Sequence, residues 1–140
     1  MNKKMLFIPT LILMAMLGLA ACTAGNVSLN DTNWKMVSYG PVDKQVLAAT
    51  GVETSLKFGT DGKVGGNLGC NSFGGEFTLK GDQITFGMLN STLMACPDPQ
   101  MSQESAAFAV LTGTVKVSLV GDTLTILDAS GKNELVFARQ

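Results

Sequence analysis

Hydrophobic and polar residues alternate in short runs along most of this chain, and glycine-containing turns separate the runs. In one run Phe77 and Leu79 alternate with polar neighbours, and Val115 and Val117 do the same in another. Alternation with a period of two is typical of antiparallel strands with one buried face. Three pairs have the composition of hairpin turns, namely Asp61-Gly62, Gly81-Asp82 and Gly121-Asp122. The pattern predicts a sheet of roughly seven or eight short antiparallel strands.

The first predicted strand is partly apolar on both faces, so its inward side is ambiguous from the pattern alone. Trp34 and Met36 share one face with Ser38, whereas Val37 and Tyr39 share the other. We expect Trp34 and Met36 to point toward the core.

One segment departs from the two-residue period. Asp98-Pro99 has the residue types that favour an N-cap followed by the first helical position, and Gly113 is a typical C-terminal stop. The apolar residues at helical spacing between them are Met101, Ala107, Phe108 and Leu111. The sequence predicts one helix over about Pro99–Leu111, with its apolar stripe in the core rather than on a partner. The expected fold is α+β, an antiparallel sheet or partly open barrel with one helix packed on it.

The start of the chain differs from the rest, because 15 of its first 21 residues are hydrophobic. Lys3 and Lys4 precede an uncharged stretch that ends in Leu-Ala-Ala immediately before Cys22. This order is typical of a secretory signal peptide. Its end resembles the lipobox of bacterial lipoproteins, in which the leader is cut before the cysteine and that cysteine is lipidated. An uncleaved transmembrane anchor is the alternative, at the short limit for a membrane span.

The predicted cleavage divides the chain into a signal peptide (residues 1–21), lipidated Cys22 with a short tether (22–28), and one domain (29–140). Without the leader, 49 of 119 residues are hydrophobic, about 41% instead of 46%, as in a soluble domain. Two or more acyl chains on Cys22 would anchor the protein stably in a membrane. Thr23 follows Cys22 in place of an acidic residue. By similarity to lipoprotein sorting, this favours the outer membrane, with the domain facing the periplasm.

The chain has no histidine, which excludes Ser-His-Asp triads, Cys-His pairs and histidine-ligated zinc sites. Loss of Lys3 and Lys4 would leave 8 basic and 11 acidic residues, a formal charge of −3. That charge argues against a nucleic-acid partner, which needs a basic surface. It also argues against a domain that lies flat on an anionic membrane, so the lipid alone is expected to hold the protein there.

Two further cysteines, Cys70 and Cys96, form an even pair in a compartment expected to be oxidising. A disulfide between them would close a loop of 27 residues (96 − 70 + 1). In the chain-entropy model such a loop contributes roughly 3–4 kcal/mol to stability. A free buried pair is the main alternative. A redox pair usually has Cys-x-x-Cys spacing and a metal needs more than two thiols, so neither a metal nor a cofactor is expected.

The segment Gly65–Phe77 is the most distinctive, and seven glycines lie from Gly59 to Gly75. Glycines permit positive φ and close backbone approach, so they could mark bulges that curl the sheet. They could also expose backbone N–H groups to an anion. A phosphate loop is disfavoured, because no Gly-Lys-Ser/Thr ending is present and no helix follows. Asn71 is expected to be a buried hydrogen-bonding turn residue, with a ligand contact as the alternative.

Several separated motifs together resemble the META domain family, in particular its HslJ-like heat-shock lipoproteins. The matching positions are Trp34, Gly69-Cys70-Asn71 with Gly75 and Phe77, Met94-Ala95-Cys96, and Glu104 in the predicted helix. The resemblance covers about Leu29–Arg139, although the family often has tyrosine where this chain has Phe77.

The resemblance implies a small α+β fold in a bacterial envelope protein, without established catalytic chemistry. Relatives are associated with heat shock and novobiocin tolerance. A proposed structural kinship links a META protein of a protozoan parasite to a lipoprotein pilot of type III secretion. That kinship implies binding of an acyl chain or a secretin tail.

Candidate catalytic groups are weak. Ser72 and Ser91 have no histidine partner. Asp98 and Glu104 could pair as carboxylates for glycoside chemistry, but a helix cap and a first-turn acid are the simpler interpretation. We therefore expect a protein that is not an enzyme, in which Asn71, Ser72 and Glu104 are possible contacts to a ligand or partner.

The expected function is support of envelope integrity under stress, through binding an unidentified envelope protein or a small hydrophobic ligand. One alternative is a pilot or carrier with an apolar cavity under the helix. That cavity would be bounded by residues such as Phe58, Phe77, Phe86, Phe108 and Phe137. Another alternative is an inhibitor of a periplasmic hydrolase with a protruding loop, either Pro41–Gly51 or Asn90–Pro97.

Overall fold

The structure is a computed structural model that describes residues 27–140. The predicted signal peptide and the predicted lipidation site, Cys22, lie outside the described residues, as does most of the predicted tether. Within residues 27–140, no helix has the length and hydropathy needed to cross a membrane. Val27 already packs against the core, so the folded unit includes residues that were assigned to the tether.

The described chain forms ten strands and one helix. In chain order they are β1 (Thr32–Pro41), β2 (Val46–Leu47), β3 (Ser55–Phe58), β4 (Lys63–Asn67), β5 (Ser72–Lys80), β6 (Gln83–Phe86), β7 (Asn90–Ser91), α1 (Gln100–Val110), β8 (Thr114–Val120), β9 (Thr123–Leu127) and β10 (Asn133–Arg139). The predicted class, an antiparallel sheet with one helix, is confirmed.

Eight of the strands close into an antiparallel barrel, in the order β10-β9-β8-β6-β5-β4-β3-β1. Closure comes from β1, which pairs with β3 on one side and with β10 on the other, from Trp34 opposite Arg139 to Pro41 opposite Asn133. The two-residue strands are additions, since β2 pairs with β1 and β7 pairs with β5. Closure satisfies the backbone groups that an open sheet would leave along its edges.

The inward face of β1 is the one carrying Trp34 and Met36, as expected, and these side chains are 0% and 3% exposed. A bulge between Met36 and Ser38 then shifts the register against β10. An extra residue in one strand changes which side chains point inward. Beyond the bulge both Ser38 and Tyr39 are buried, whereas Val37 is exposed.

Two glycines of the glycine-rich segment do not lie at such a bulge. Gly65 and Gly66 of β4 pair in continuous register with β3 and with β5. A Cβ atom on Gly65 would lie 2.8 Å from the carbonyl oxygen of Phe73, so the residue is kept small by close backbone approach. The expectation that glycines mark bulges is therefore wrong for these two positions.

The helix differs from its prediction in its start and in its buried face. Its N-cap is Pro99 rather than Asp98. The Asp98 carboxylate still accepts hydrogen bonds from the N–H and the hydroxyl of Ser102, at 3.2 and 2.6 Å. The helix buries two polar residues, Gln103 and Glu104, as well as Ala107 and Val110. Met101 and Phe108, expected in the apolar stripe, are only half-buried.

Because neighbouring strands run in opposite directions, the loops and turns between them gather at two ends of the barrel. We call one the helix end, since it carries α1, the β4–β5 loop and the β9–β10 turn. The other, the N-terminal end, carries the start of β1 and the predicted hairpin turns, where Gly62, Gly81 and Gly121 have positive φ. The described chain therefore begins at the end opposite the helix.

Large side chains fill the barrel interior. Phe58, Phe77, Phe86 and Phe137 belong to one buried cluster, with Phe58 and Phe77 in an edge-to-face contact whose ring centroids are 4.9 Å apart. These residues were expected to bound a cavity in the carrier hypothesis. Their packing against one another gives that hypothesis no support.

Truncation at Phe58, which is 1% exposed, should be costly. We expect Phe58→Ala to lower the free energy of unfolding by about 3–5 kcal/mol, because it removes buried apolar surface and leaves a cavity. Val120 is 75% exposed, so Val120→Ala should stay within about 0.5 kcal/mol of the unsubstituted protein. Urea titration without reductant, followed by fluorescence of the single Trp34, measures both. Equal stabilities of the two variants would contradict the placement of Phe58 in the buried core.

Candidate functional site

The Glu104 carboxylate is the centre of a buried polar cluster at the helix end, and the residue is 5% exposed. Its Oε2 accepts hydrogen bonds from the N–H groups of Cys70 and Asn71, at 2.8 and 2.5 Å. Its Oε1 accepts one from the side-chain amide of Asn71, at 2.7 Å. Three donors therefore surround a buried carboxylate, the arrangement that compensates the cost of removing its charge from water.

Asn71 joins this carboxylate to the segment before the helix. Its Oδ1 accepts hydrogen bonds from the Thr92 hydroxyl and the Met94 N–H, at 2.8 and 2.7 Å. Its Nδ2 also donates to the Met94 carbonyl, at 3.3 Å. The residue is 4% exposed. The interpretation of Asn71 as a buried hydrogen-bonding residue is confirmed.

Gln103 is the member of the cluster that the sequence analysis missed. It is fully buried, accepts a hydrogen bond from the Ala49 N–H and donates one to the Leu68 carbonyl, both at 2.7 Å. It therefore ties the helix to two loops. Helical spacing could have identified it, because Gln103 lies four residues before Ala107 and seven before Val110, which places all three on the inward face of the helix.

Gly69 lets the β4–β5 loop lie directly against the helix. A Cβ atom there would collide with the carbonyl oxygen of Gln100 and lie 3.0 Å from Cβ of Glu104. Asn67 shapes the same loop by accepting a hydrogen bond from the Gly69 N–H and donating one to the Cys70 carbonyl, at 2.9 and 3.0 Å. The Gly-Cys-Asn motif therefore delivers two backbone N–H groups to Glu104.

The predicted disulfide is confirmed, because Cys70 and Cys96 are bonded, with Cα atoms 5.9 Å apart. That separation is common for disulfides. The bond joins the β4–β5 loop to the segment before α1, and Asn71 bridges the same two segments. Covalent and polar links thus hold one end of the molecule together.

The other predicted site residues fall outside this cluster. Ser72, named as a possible contact, is exposed at the start of β5. Asp98 is exposed and bonds to Ser102, whereas Glu104 is buried and bonds to Asn71. The two acids thus have separate partners and do not form the carboxylate pair considered for glycoside chemistry. Among residues 27–140, no group of His, Cys, Asp and Glu side chains could hold a metal ion.

A groove of about 300 Å³ with both polar and apolar lining lies beside the cluster, between Gly87–Ser91 and the C-terminal end of α1. Its apolar side chains are Met88, Leu89, Phe108 and Leu111, and no charged residue lines it. Exposed hydrophobic residues continue along the same segment, with Met88, Leu93 and Met94 at 84%, 95% and 54% exposure. Sequence reasoning did not single out this groove.

Comparison with known proteins identifies the fold. A family model described as the META domain matches residues 27–140. The chain belongs to the META domain family. No curated protein matched the sequence.

Two solved structures resemble this META domain. An NMR structure of a protein from Burkholderia xenovorans is 26% identical, covers 80% of this chain and 83% of its own, and has a TM-score of 0.67. A second NMR structure of a protein is 25% identical, covers 79% of this chain and 90% of its own, and has a TM-score of 0.62. Both likenesses support the barrel architecture.

The cluster should make a measurable contribution to stability. Glu104→Gln keeps the shape of the side chain but removes its charge. Its new amide NH2 group would face the Asn71 side-chain NH2 group, and two donors cannot bond to each other. We expect a loss of about 2–3 kcal/mol in unfolding free energy. A double-mutant cycle with Asn71→Ala should give a coupling of about 1–3 kcal/mol.

The matched control is Glu53→Gln, since the Glu53 side chain is 87% exposed and lies 3.7 Å from Lys35. Surface ion pairs contribute little, so this variant should stay within about 1 kcal/mol of the unsubstituted protein. Denaturant titration of all variants gives these values. Additive effects of Glu104→Gln and Asn71→Ala would refute the coupling.

Proposed function

We propose that this META domain protein is a lipid-anchored binding module of the bacterial envelope, without catalytic activity, that supports envelope integrity under stress. The observation that supports the non-catalytic part of the proposal is that Glu104 and Asn71 are engaged in hydrogen bonds within the fold. These are the polar residues at the helix end best suited to chemistry, and their polar atoms are occupied by bonds within the fold.

A carboxylate acts as a general base or nucleophile only if it can reach a substrate. Glu104 is 5% exposed, and its two oxygens accept three hydrogen bonds. Moving it toward a substrate would break all three and remove part of the contact between the helix and the β4–β5 loop. Its geometry therefore supports a positional role, which leaves the exposed apolar segment at the helix end as the feature available to a partner.

The course of the chain supports a simple attachment geometry. If Cys22 is lipidated, the link from Cys22 to Val27 spans at most roughly 18 Å. Val27 leads into β1 at the N-terminal end of the barrel. The turns at that end carry Asp61, Asp82 and Asp122. Lys63, Lys80 and Arg139 lie beside these acids, so this end has little net charge with which to bind anionic headgroups. The lipid would therefore do the anchoring while the helix end points away from the bilayer.

Anchoring is tested by labelling cells with a palmitate analogue. We expect label on the unsubstituted protein and none on Cys22→Ala, because the acyl chains need the Cys22 thiol. Cys70→Ala is not a suitable control, since it breaks the disulfide. Ser72→Ala, an exposed substitution within the domain, should keep full labelling. Equal labelling of Cys22→Ala and the unsubstituted protein would disprove the lipid anchor.

The stress role is tested by deleting the gene and measuring survival at high temperature and the minimal inhibitory concentration of novobiocin. We expect sensitisation to at least one of them, restored by the unsubstituted gene and not by Cys22→Ala, since an unanchored domain would leave the membrane. A deletion strain with unchanged resistance to both stresses would count against this role.

A further inference from the structure

The groove beside β7 is bordered by a strand edge without a partner. The first half of β5 pairs with β7, where Phe73 faces Ser91 and Gly74 faces Asn90. Within residues 27–140, β7 has no strand on its other side. An unpaired edge at an accessible surface is a template for another extended chain.

The hydrogen-bond pattern shows which backbone groups face the groove. The Thr92 N–H donates to the Ser72 carbonyl, at 3.0 Å, so Thr92 directs its backbone groups toward β5. Successive residues of an antiparallel strand direct these groups to alternate sides. The N–H and the carbonyl of Ser91 therefore point away from β5, toward the groove that Ser91 helps to line.

The groove exists because two chain segments separate. β6 and β8 pair from Gln83 opposite Lys116 to Thr85 opposite Thr114, and the Phe86 N–H then donates to the Gly113 carbonyl at 2.9 Å. Beyond this bond, the chain from Gly87 onward stays on β5 while the chain before Gly113 enters α1. The resulting space lies between the two segments and is lined by side chains from both.

The wall of the groove formed by Gly87–Ser91, which we call the strand wall, is held in place without a partner. A Cβ atom on Gly75 would lie 2.6 Å from Cδ2 of Leu89 and 2.8 Å from the Met88 carbonyl, so only glycine allows the wall to rest on β5. Asn71 holds Thr92 and Met94, just beyond the wall. Preorganised surfaces bind with a smaller entropic cost.

These features select one class of occupant. A hydrocarbon chain would cover the Ser91 backbone groups without bonding to them, which is costly. An extended peptide would bond to them and also place alternate side chains against Met88, Leu89 and Phe108. The absence of charged lining residues favours uncharged, apolar side chains on that peptide.

We propose that the groove binds an extended, uncharged segment of an envelope protein, which adds as a strand to the free edge of β7 and buries apolar side chains against α1. The proposal deepens the binding-module function and rests on it. In the anchored geometry described above, the helix end and this groove face the periplasm, where such a segment can reach them.

The test uses the full-length protein, purified from bacterial membranes and reconstituted in phosphatidylcholine nanodiscs. A phage-displayed library of random peptides of about ten residues is selected against it after subtraction on empty nanodiscs. Enriched peptides are synthesised with a fluorophore and titrated by anisotropy. We expect enrichment of uncharged apolar sequences, and slower hydrogen–deuterium exchange of residues 87–92 in the complex.

Strand addition is tested by N-methylation of alternate peptide residues. Methyl groups on the edge that faces β7 should weaken binding about tenfold or more, whereas methyl groups on the other edge should change it little. Equal effects of both methylation patterns would overturn the proposed mode of binding.

The matched protein variants are Met88→Asp in the groove and Val120→Asp at the N-terminal end of the barrel, since the two residues are 84% and 75% exposed. Both should fold, and only Met88→Asp should weaken peptide binding about tenfold or more. Equal binding by the two variants, or no enriched peptide, would overturn the proposal. The proposal would also be overturned if a fluorescent palmitate, and not the peptide, slowed hydrogen–deuterium exchange of residues 87–92. Slowed exchange caused by self-association of the protein, abolished in Met88→Asp, would overturn it as well. Palmitate labelling of Cys22 in the same cells separates failure of the anchor from failure of the groove.

Discussion

The organisation of the helix end depends on one buried carboxylate. A helix usually packs on a sheet through an apolar stripe, but the inward face of α1 carries Gln103 and Glu104 beside Ala107 and Val110. Leu111 at the helix end is also buried, and Ala106 and Phe108 pack against the core. Apolar contacts have no preferred direction, whereas the three donors around Glu104 do, and bonds to a charged group contribute about 1.5–3 kcal/mol each. The orientation of α1 is therefore set by the carboxylate and its donor loop, together with the two bonds of Gln103.

The same requirement explains the local sequence of that loop. Two consecutive N–H groups reach one carboxylate oxygen only if the loop lies against the helix, and Gly69 permits this approach because a side chain there would meet Gln100. The side-chain amide of Asn71 then donates a hydrogen bond to the Glu104 carboxylate and accepts one from the Met94 N–H. The disulfide secures the same neighbourhood and limits the unfolded chain, for which the entropy model assigns roughly 3–4 kcal/mol.

The barrel strands were predictable because their signals are local. Alternation and glycine turns are contained within each hairpin, as at Gly81-Asp82 and Gly121-Asp122, where the structure has the expected turns. Closure was not predictable, because the pairing of β1 with β10 joins segments near opposite ends of the domain and has no sequence period of its own. β7 escaped prediction for a similar reason, since two residues are too few to show alternation. On α1 the helical spacing of Phe108 pointed to the core, but Gln103 and Glu104 occupy the inward face of the helix and Phe108 is half-buried.

The inward orientation of Glu104 connects the structural role of the cluster to a surface. With Glu104 turned inward, Phe108 lies at the border of the barrel, where its ring meets Phe73 edge to face at 5.4 Å and forms one wall of the groove. Asn71 positions Met94 and Thr92, which continue the opposite wall. One buried carboxylate therefore helps to position both sides of the groove while remaining inaccessible itself. The cluster therefore supports a neighbouring surface with exposed apolar side chains, and the proposed partner would contact that surface rather than the carboxylate.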